Sequence, residues 1–190
     1  MNYNPTIPHR RNLRLPEFDY SQPGAYFVTI VTQDRRMVFG QVVNGEMVLN
    51  ETGKMVIEVI DQIPEHYLGI NVEVSVIMPN HVHLLFLITD VVAGPRACHS
   101  DQPIDGQPQG VAPTEERLSL PEIVHRIKSL TTNRYMIGVR DKGWPQFEKR
   151  FWQRNYFEHI IRNERDYLAI YDYILANPIN WEKDKEFSVS

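Results

Sequence analysis

Cysteine is nearly absent: Cys98 stands alone among 190 residues, which excludes an internal disulfide framework and any multi-cysteine zinc site. A metal here has to be held by histidine, carboxylate or amide groups. Long apolar runs are missing too. No stretch approaches the roughly 18 residues of a membrane span, and the opening MNYNPTIPHRRNLRLPEF has no apolar segment of the signal-peptide kind. The expected compartment is the cytoplasm, with no membrane partner. An overall positive charge is lacking as well. The 20 Lys and Arg against 24 Asp and Glu leave −4, so any attraction to nucleic acid has to come from local patches and not from the field of the whole chain.

What remains, 42% hydrophobic and 23% charged residues, is the composition of an ordinary globular protein, and the length suits a single domain spanning 1–190. Two local patches are basic. The N-terminal arm, residues 1–20, carries Arg10, Arg11 and Arg14 with no acid before Glu17. Between Arg140 and Arg165, seven Lys and Arg face four acids and are interleaved with Trp144, Phe147, Phe151, Trp152, Tyr156 and Phe157. Basic residues among aromatics suit a nucleic-acid strand with exposed bases, and they equally suit a core bordered by solvated charge. Residues 91–117 turn to Gly, Pro, Gln, Ser and Asp without apolar periodicity, which predicts a flexible insertion.

Periodicity predicts strands over 25–32, 72–78 and 81–88, and a hairpin around Asn44-Gly45 between 38 and 49. Helices are predicted from Asn50 to about His66, from Ser119 through Leu130 with Glu122 at capping-box spacing, over 155–162 and over 166–176 before Asn177-Pro178. The order fits an α+β fold, an antiparallel sheet covered on one face by helices.

Within MPNHVHLLF, a strand would turn His81 and His83 to one face and Val82 to the other. Two neighbouring imidazoles can begin a metal site, or each can be hydrogen-bonded separately. A helix over 155–162 would put Tyr156 and His159 on one face, three residues apart. Alone, that tetrapeptide also reads as a packed aromatic beside a surface histidine.

Taken together, MPNHVHLLF, FWQRNYFEHIIRNERDYLAIYDYILANP and RRNLRLPEFDYSQPGAYFVTIVTQDR resemble the REP-associated tyrosine transposases, members of the HUH (His-hydrophobic-His) superfamily of single-stranded-DNA nucleases. The resemblance spans nearly the whole chain apart from 91–117 and the last residues. It implies the ferredoxin-like (RRM-like) HUH fold, with His81 and His83 as the paired histidines, Tyr156 as the nucleophile and His159 as a further ligand of Mg²⁺ or Mn²⁺. It also implies the reaction: cleavage and rejoining of single-stranded DNA at repetitive extragenic palindrome hairpins through a covalent 5′-phosphotyrosine, by a monomer or homodimer. Lys149, Arg150 and Arg154 would guide the strand, and Arg10, Arg11 and Arg14 would contact phosphates. Tyr167, Tyr171 and Tyr173 are nominal competitors for the nucleophile. Rival readings are an HUH replication or mobilisation initiator, against which the absence of a helicase-like region weighs, and a non-catalytic nucleic-acid-binding α+β module.

Overall fold

The computed structural model describes residues 18–90, 118–184, 186 and 187. Arg10, Arg11, Arg14 and the 91–117 segment lie outside them. Four antiparallel strands form the main sheet in the order β4-β5-β1-β6: β1 (Gly24–Val31), β4 (Ile70–Ile77), β5 (His81–Ile88) and β6 (Phe157–Ile161). A separate hairpin joins β2 (Gly40–Val43) to β3 (Glu46–Leu49). Its Asn44-Gly45 turn has φ of 52° and 78°, the left-handed pair that a two-residue hairpin needs and that Asn-Gly tolerates best.

Helix α1 (Glu51–Asp61) starts where the Asn50 side chain accepts the Gly53 N–H at 2.9 Å, and the short α2 (Ile63–His66) follows. Helix α3 (Leu120–Lys142) opens on the expected capping box, with the Glu122 carboxylate accepting the Ser119 N–H at 2.8 Å and its hydroxyl at 2.6 Å. It ends at Gly143, whose φ of 69° is a left-handed C-terminal stop. Helix α4 (Glu164–Ala176) begins at Asn163, which accepts the Asp166 N–H at 2.9 Å.

The helix expected over 155–162 is instead strand β6. The apolar pairs at 156–157 and 160–161 satisfy a helical spacing, and a two-residue alternation is interrupted by Glu158 on one face and His159 on the other, so here tertiary pairing overrides the local pattern. Two tertiary facts decide. The edge of β1 offers backbone partners that pair Ala25 with Ile161 and Thr29 with Phe157, and the extended Asn163 cap interrupts any helix running into α4.

The α+β class is as expected, and helices cover both faces of the sheet. Tyr26, Val28, Ile30, Val82, Leu84 and Phe86 point one way into a buried cluster with Val56 and Ile60 of α1 and Ile123, Val124 and Ile127 of α3. Phe27 and Leu85 point the other way, against Ile174 and Ile170 of α4. Burial on both faces explains why β5 reads as a nearly continuous apolar run. Among the described residues the second face is covered only in part, and its open portion holds the candidate site. Among the described residues, no helix is long and apolar enough to cross a membrane.

Candidate metal and nucleophile site

Alternation in β5 does what the sequence requires: His81 and His83 share the α4 face, and both are buried, at 0% and 3% exposure. Their Nε2 atoms lie 3.0 Å apart. Asn80, itself fully buried, fixes the first ring. Its Nδ2 donates to the carbonyls of Arg35 (3.3 Å) and Glu186 (2.8 Å), so its Oδ1 is the atom that meets His81 Nδ1 at 2.9 Å. An amide oxygen only accepts, so His81 carries its proton on Nδ1 and presents a lone pair at Nε2. Thr29 Oγ1 holds His83 through Nδ1 at 2.8 Å.

Two imidazole nitrogens in contact need a proton or a shared cation between them. A spacing of 3.0 Å is that of adjacent ligands each about 2.1 Å from one octahedral ion. Burial, with the neighbouring His83, pushes His81 down to about 3, so the ring stays in the neutral form that ligation demands. The donor set fits a divalent cation.

Asp184 forms with His81 and His83 a trio that could hold a metal ion, its donor atoms within 4.8 Å of one another. Burial raises the Asp184 carboxyl. The His83 ring 3.8 Å away, Asn177 Nδ2 at 2.9 Å and the Glu186 N–H at 2.7 Å outweigh that, so the group is held well below the usual carboxylate range. Nothing in the sequence marks Asp184, one acid among several after Asn177-Pro178. The folded chain brings it back to β5 through the Glu186–Asn80 bond and the Arg35–Glu186 ion pair at 2.7 Å.

Tyr173 completes the group. Its hydroxyl lies 3.4 Å from His83 Nε2 and donates to Asp184 Oδ2 at 3.3 Å, with its ring against both His83 and Phe27. Burial and then the Asp184 carboxylate push its phenol up to about 12. Asp166, Ile170, Tyr173 and Asn177 repeat at helical spacing, a stripe of α4 and its C-cap facing the sheet. Between that stripe and the open end of β1 and β6 lies a cleft of about 410 Å³, lined among others by Thr29, His83, Phe157, His159, Tyr173 and Asp184.

The structure does not bring Tyr156 to the histidines. It immediately precedes β6 on the opposite side of the sheet, half-buried against the α1/α3 core with the Lys128 ammonium 5.4 Å from its ring centre. The cause is the strand in place of the expected helix: alternation sends Phe157 and His159 into the cleft and Tyr156 away from it. His159 reaches the cleft but not the ligand trio. Its Nε2 is 2.9 Å from Asp166 Oδ2.

Lys149, Arg150 and Arg154 are exposed and line a shallow groove of about 670 Å³ against His125, Ser129 and Thr132 of α3. Trp152 is core, its Nε1 donating to Thr131 Oγ1 at 2.8 Å, and Trp144 packs on Tyr135.

No protein-family model matches the chain. An uncharacterized protein of Haemophilus influenzae is 34% identical over 96% of this chain and 96% of its own length. A candidate REP-associated tyrosine transposase of the same organism is 28% identical over 85% of this chain and 73% of its own. The solved structure of a REP-associated tyrosine transposase bound to a REP hairpin shares the fold, with a TM-score of 0.56 and 20% identity over 90% of this chain and 76% of that one. The protein thus belongs to one family with its full-length Haemophilus counterpart, and in sequence and fold it is a relative of the REP-associated tyrosine transposases.

Proposed function

We propose that the protein is a metal-dependent endonuclease and transposase of single-stranded DNA that cuts and rejoins strands beside palindromic hairpins through a covalent 5′-phosphotyrosine. The observation that carries this reading is one tyrosine hydroxyl in contact with two members of a His-His-Asp trio, His83 and Asp184, at the edge of an open cleft. The hairpin bound in the related solved structure supports the substrate class.

In this reading His81, His83 and Asp184 hold Mg²⁺ or Mn²⁺, which when bound polarises the scissile phosphate and offsets the charge developing on it. Tyr173 takes the nucleophile's role first expected of Tyr156. A phenol held near 12 is protonated at neutral pH, and its hydrogen bond to Asp184 gives the proton an exit as the oxygen attacks phosphorus. The phosphotyrosine conserves the energy of the broken diester, so a 3′-hydroxyl can displace the tyrosine without ATP. Phe157, 53% exposed at the cleft, offers a ring on which a base can stack. Lys149, Arg150 and Arg154 supply a phosphate track outside the cleft, and Arg10, Arg11 and Arg14 add positive charge for phosphate contacts. Tyr173 and the histidines belong to one chain, so a monomer carries a whole site, and the cytoplasm is its compartment.

The test is to incubate a 5′-labelled hairpin strand and its 3′-labelled twin with the protein and Mn²⁺. A detergent-stable adduct should retain the label on the 3′ side of the cut, and Tyr173→Phe should abolish it. The rival reading, a binding module, closes the 3.0 Å His–His contact with a proton and predicts hairpin binding with no adduct.

A further inference from the structure

His159 and Asp166 form a pair that the metal trio and the nucleophile leave unused. The ring projects from β6 into the cleft, and Asp166 sits in the first turn of α4, seven residues before Tyr173 on the same stripe. Seven residues of helix are about 10 Å, so Asp166 and Tyr173 line one cleft about two helical turns apart. Asp166 is itself fixed by its cap bond to Asn163 and by the Arg162 N–H at 3.4 Å, and its hydrogen bond with His159 holds its carboxyl below the usual range. A carboxylate on Nε2 leaves Nδ1 as the nitrogen for a ligand.

Phosphoryl transfer places the attacking and leaving oxygens in line on opposite sides of phosphorus. With attack from the Tyr173 end, the leaving oxygen emerges toward the other end. We infer that the His159–Asp166 dyad is the general acid for the leaving 3′-oxygen in cleavage and the general base for the attacking 3′-hydroxyl in rejoining. This rests on the strand-transfer reading above. In cleavage the Tyr173 O–P bond forms and the P–O3′ bond breaks. The phenolic proton passes by way of Asp184 to water, and the imidazolium of His159 gives its Nδ1 proton to O3′. Asp166 orients the ring through its hydrogen bond to Nε2, so it is a positioning residue. In rejoining, neutral His159 takes the proton of the incoming 3′-hydroxyl as the phenolate leaves.

A sulfur leaving group separates this role from a structural one, because a thiolate, with a conjugate acid near 8.5, needs no proton to depart whereas an alkoxide, near that of water at about 16, does. Full-length wild type, His159→Gln and Asp166→Asn would be compared on a hairpin strand with the ordinary 3′-oxygen and on the same strand with a bridging 3′-sulfur at the scissile phosphate, with hairpin affinity measured alongside. On the oxygen strand, His159→Gln should slow adduct formation about 100-fold or more and Asp166→Asn less, at unchanged affinity. On the sulfur strand both variants should match wild type within a few-fold. A variant impaired equally on both strands, or on neither, overturns the dyad's role while leaving strand transfer standing. A wild type silent on both strands overturns strand transfer and the dyad with it.

Discussion

The two faces of the sheet are built from alternate residues of the same strands, and they do opposite things. Toward α1 and α3, positions 26, 28 and 30 of β1 and 82, 84 and 86 of β5 are all apolar or aromatic and almost without exposure. One residue over, positions 29, 81 and 83 are Thr, His and His, each hydrogen-bonded, with Thr29 and His83 lining a cleft and His81 buried behind them. Stability and chemistry are thus separated by the two-residue period of the strand, and any one-residue slip would exchange them. The apolar face supplies the rigidity that lets the other face keep two imidazoles in contact.

The largest test of this division is Tyr173→Phe beside Tyr156→Phe. The first should remove the covalent DNA adduct outright, and the second, which changes a ring on the apolar side, should leave adduct formation within a few-fold of wild type. Denaturing gels of each with labelled hairpin DNA measure it.

Acid should next discriminate between the faces. His81 is neutral in the folded chain down to about 3 but titrates near 6.5 when unfolded, so between those values the unfolded state binds the extra proton. Stability therefore falls as pH drops through that window, by up to about 1.4 kcal/mol per pH unit and about 5 kcal/mol in all. Urea unfolding in chelator across pH 3–7 should show this slope, and His81→Gln should flatten it.

On the other face, Ile127→Ala removes a buried side chain between α3 and the sheet and should cost about 2–5 kcal/mol in chemical denaturation. The surviving folded fraction should still form the adduct.

Asn80→Ala reaches the chemistry indirectly. It frees the His81 ring and the Glu186 backbone together, and should weaken Mn²⁺ binding about 10–100-fold by calorimetry. Replacing Lys149, Arg150 and Arg154 with alanine, which touches neither face, should have the smallest effect: a few-fold loss of hairpin affinity and a shallower salt dependence, with the per-complex cleavage rate unchanged.

Legibility in the sequence followed the range of the interactions. The Asn44-Gly45 turn, the Asn50 cap and the Ser119–Glu122 box are satisfied within a few residues and were readable from them. The shared face of His81 and His83 follows from strand periodicity alone. Residues 155–162 read as helix from their apolar spacing, whereas the partner that makes them a strand, the edge of β1, lies more than a hundred residues earlier. As a strand, the segment turns Tyr156 away from the histidines, while Tyr173, four residues before Asn177 and so on the same helical stripe, faces them.

What the sequence by itself determined is the alternation: which residues a strand through MPNHVHLLF must turn inward, that two of them are histidines, and that an α+β sheet would form around them. Only the tertiary structure decided what those histidines meet. Asp184 comes from the far end of the chain, Tyr173 from the face of a helix, and Asn80 ties them through the Glu186 carbonyl. A periodic pattern assigns a side chain to a face, but ligation and nucleophilic attack need atoms within about 3 Å. Distances of that kind between residues a hundred positions apart are settled by how helices and sheet pack.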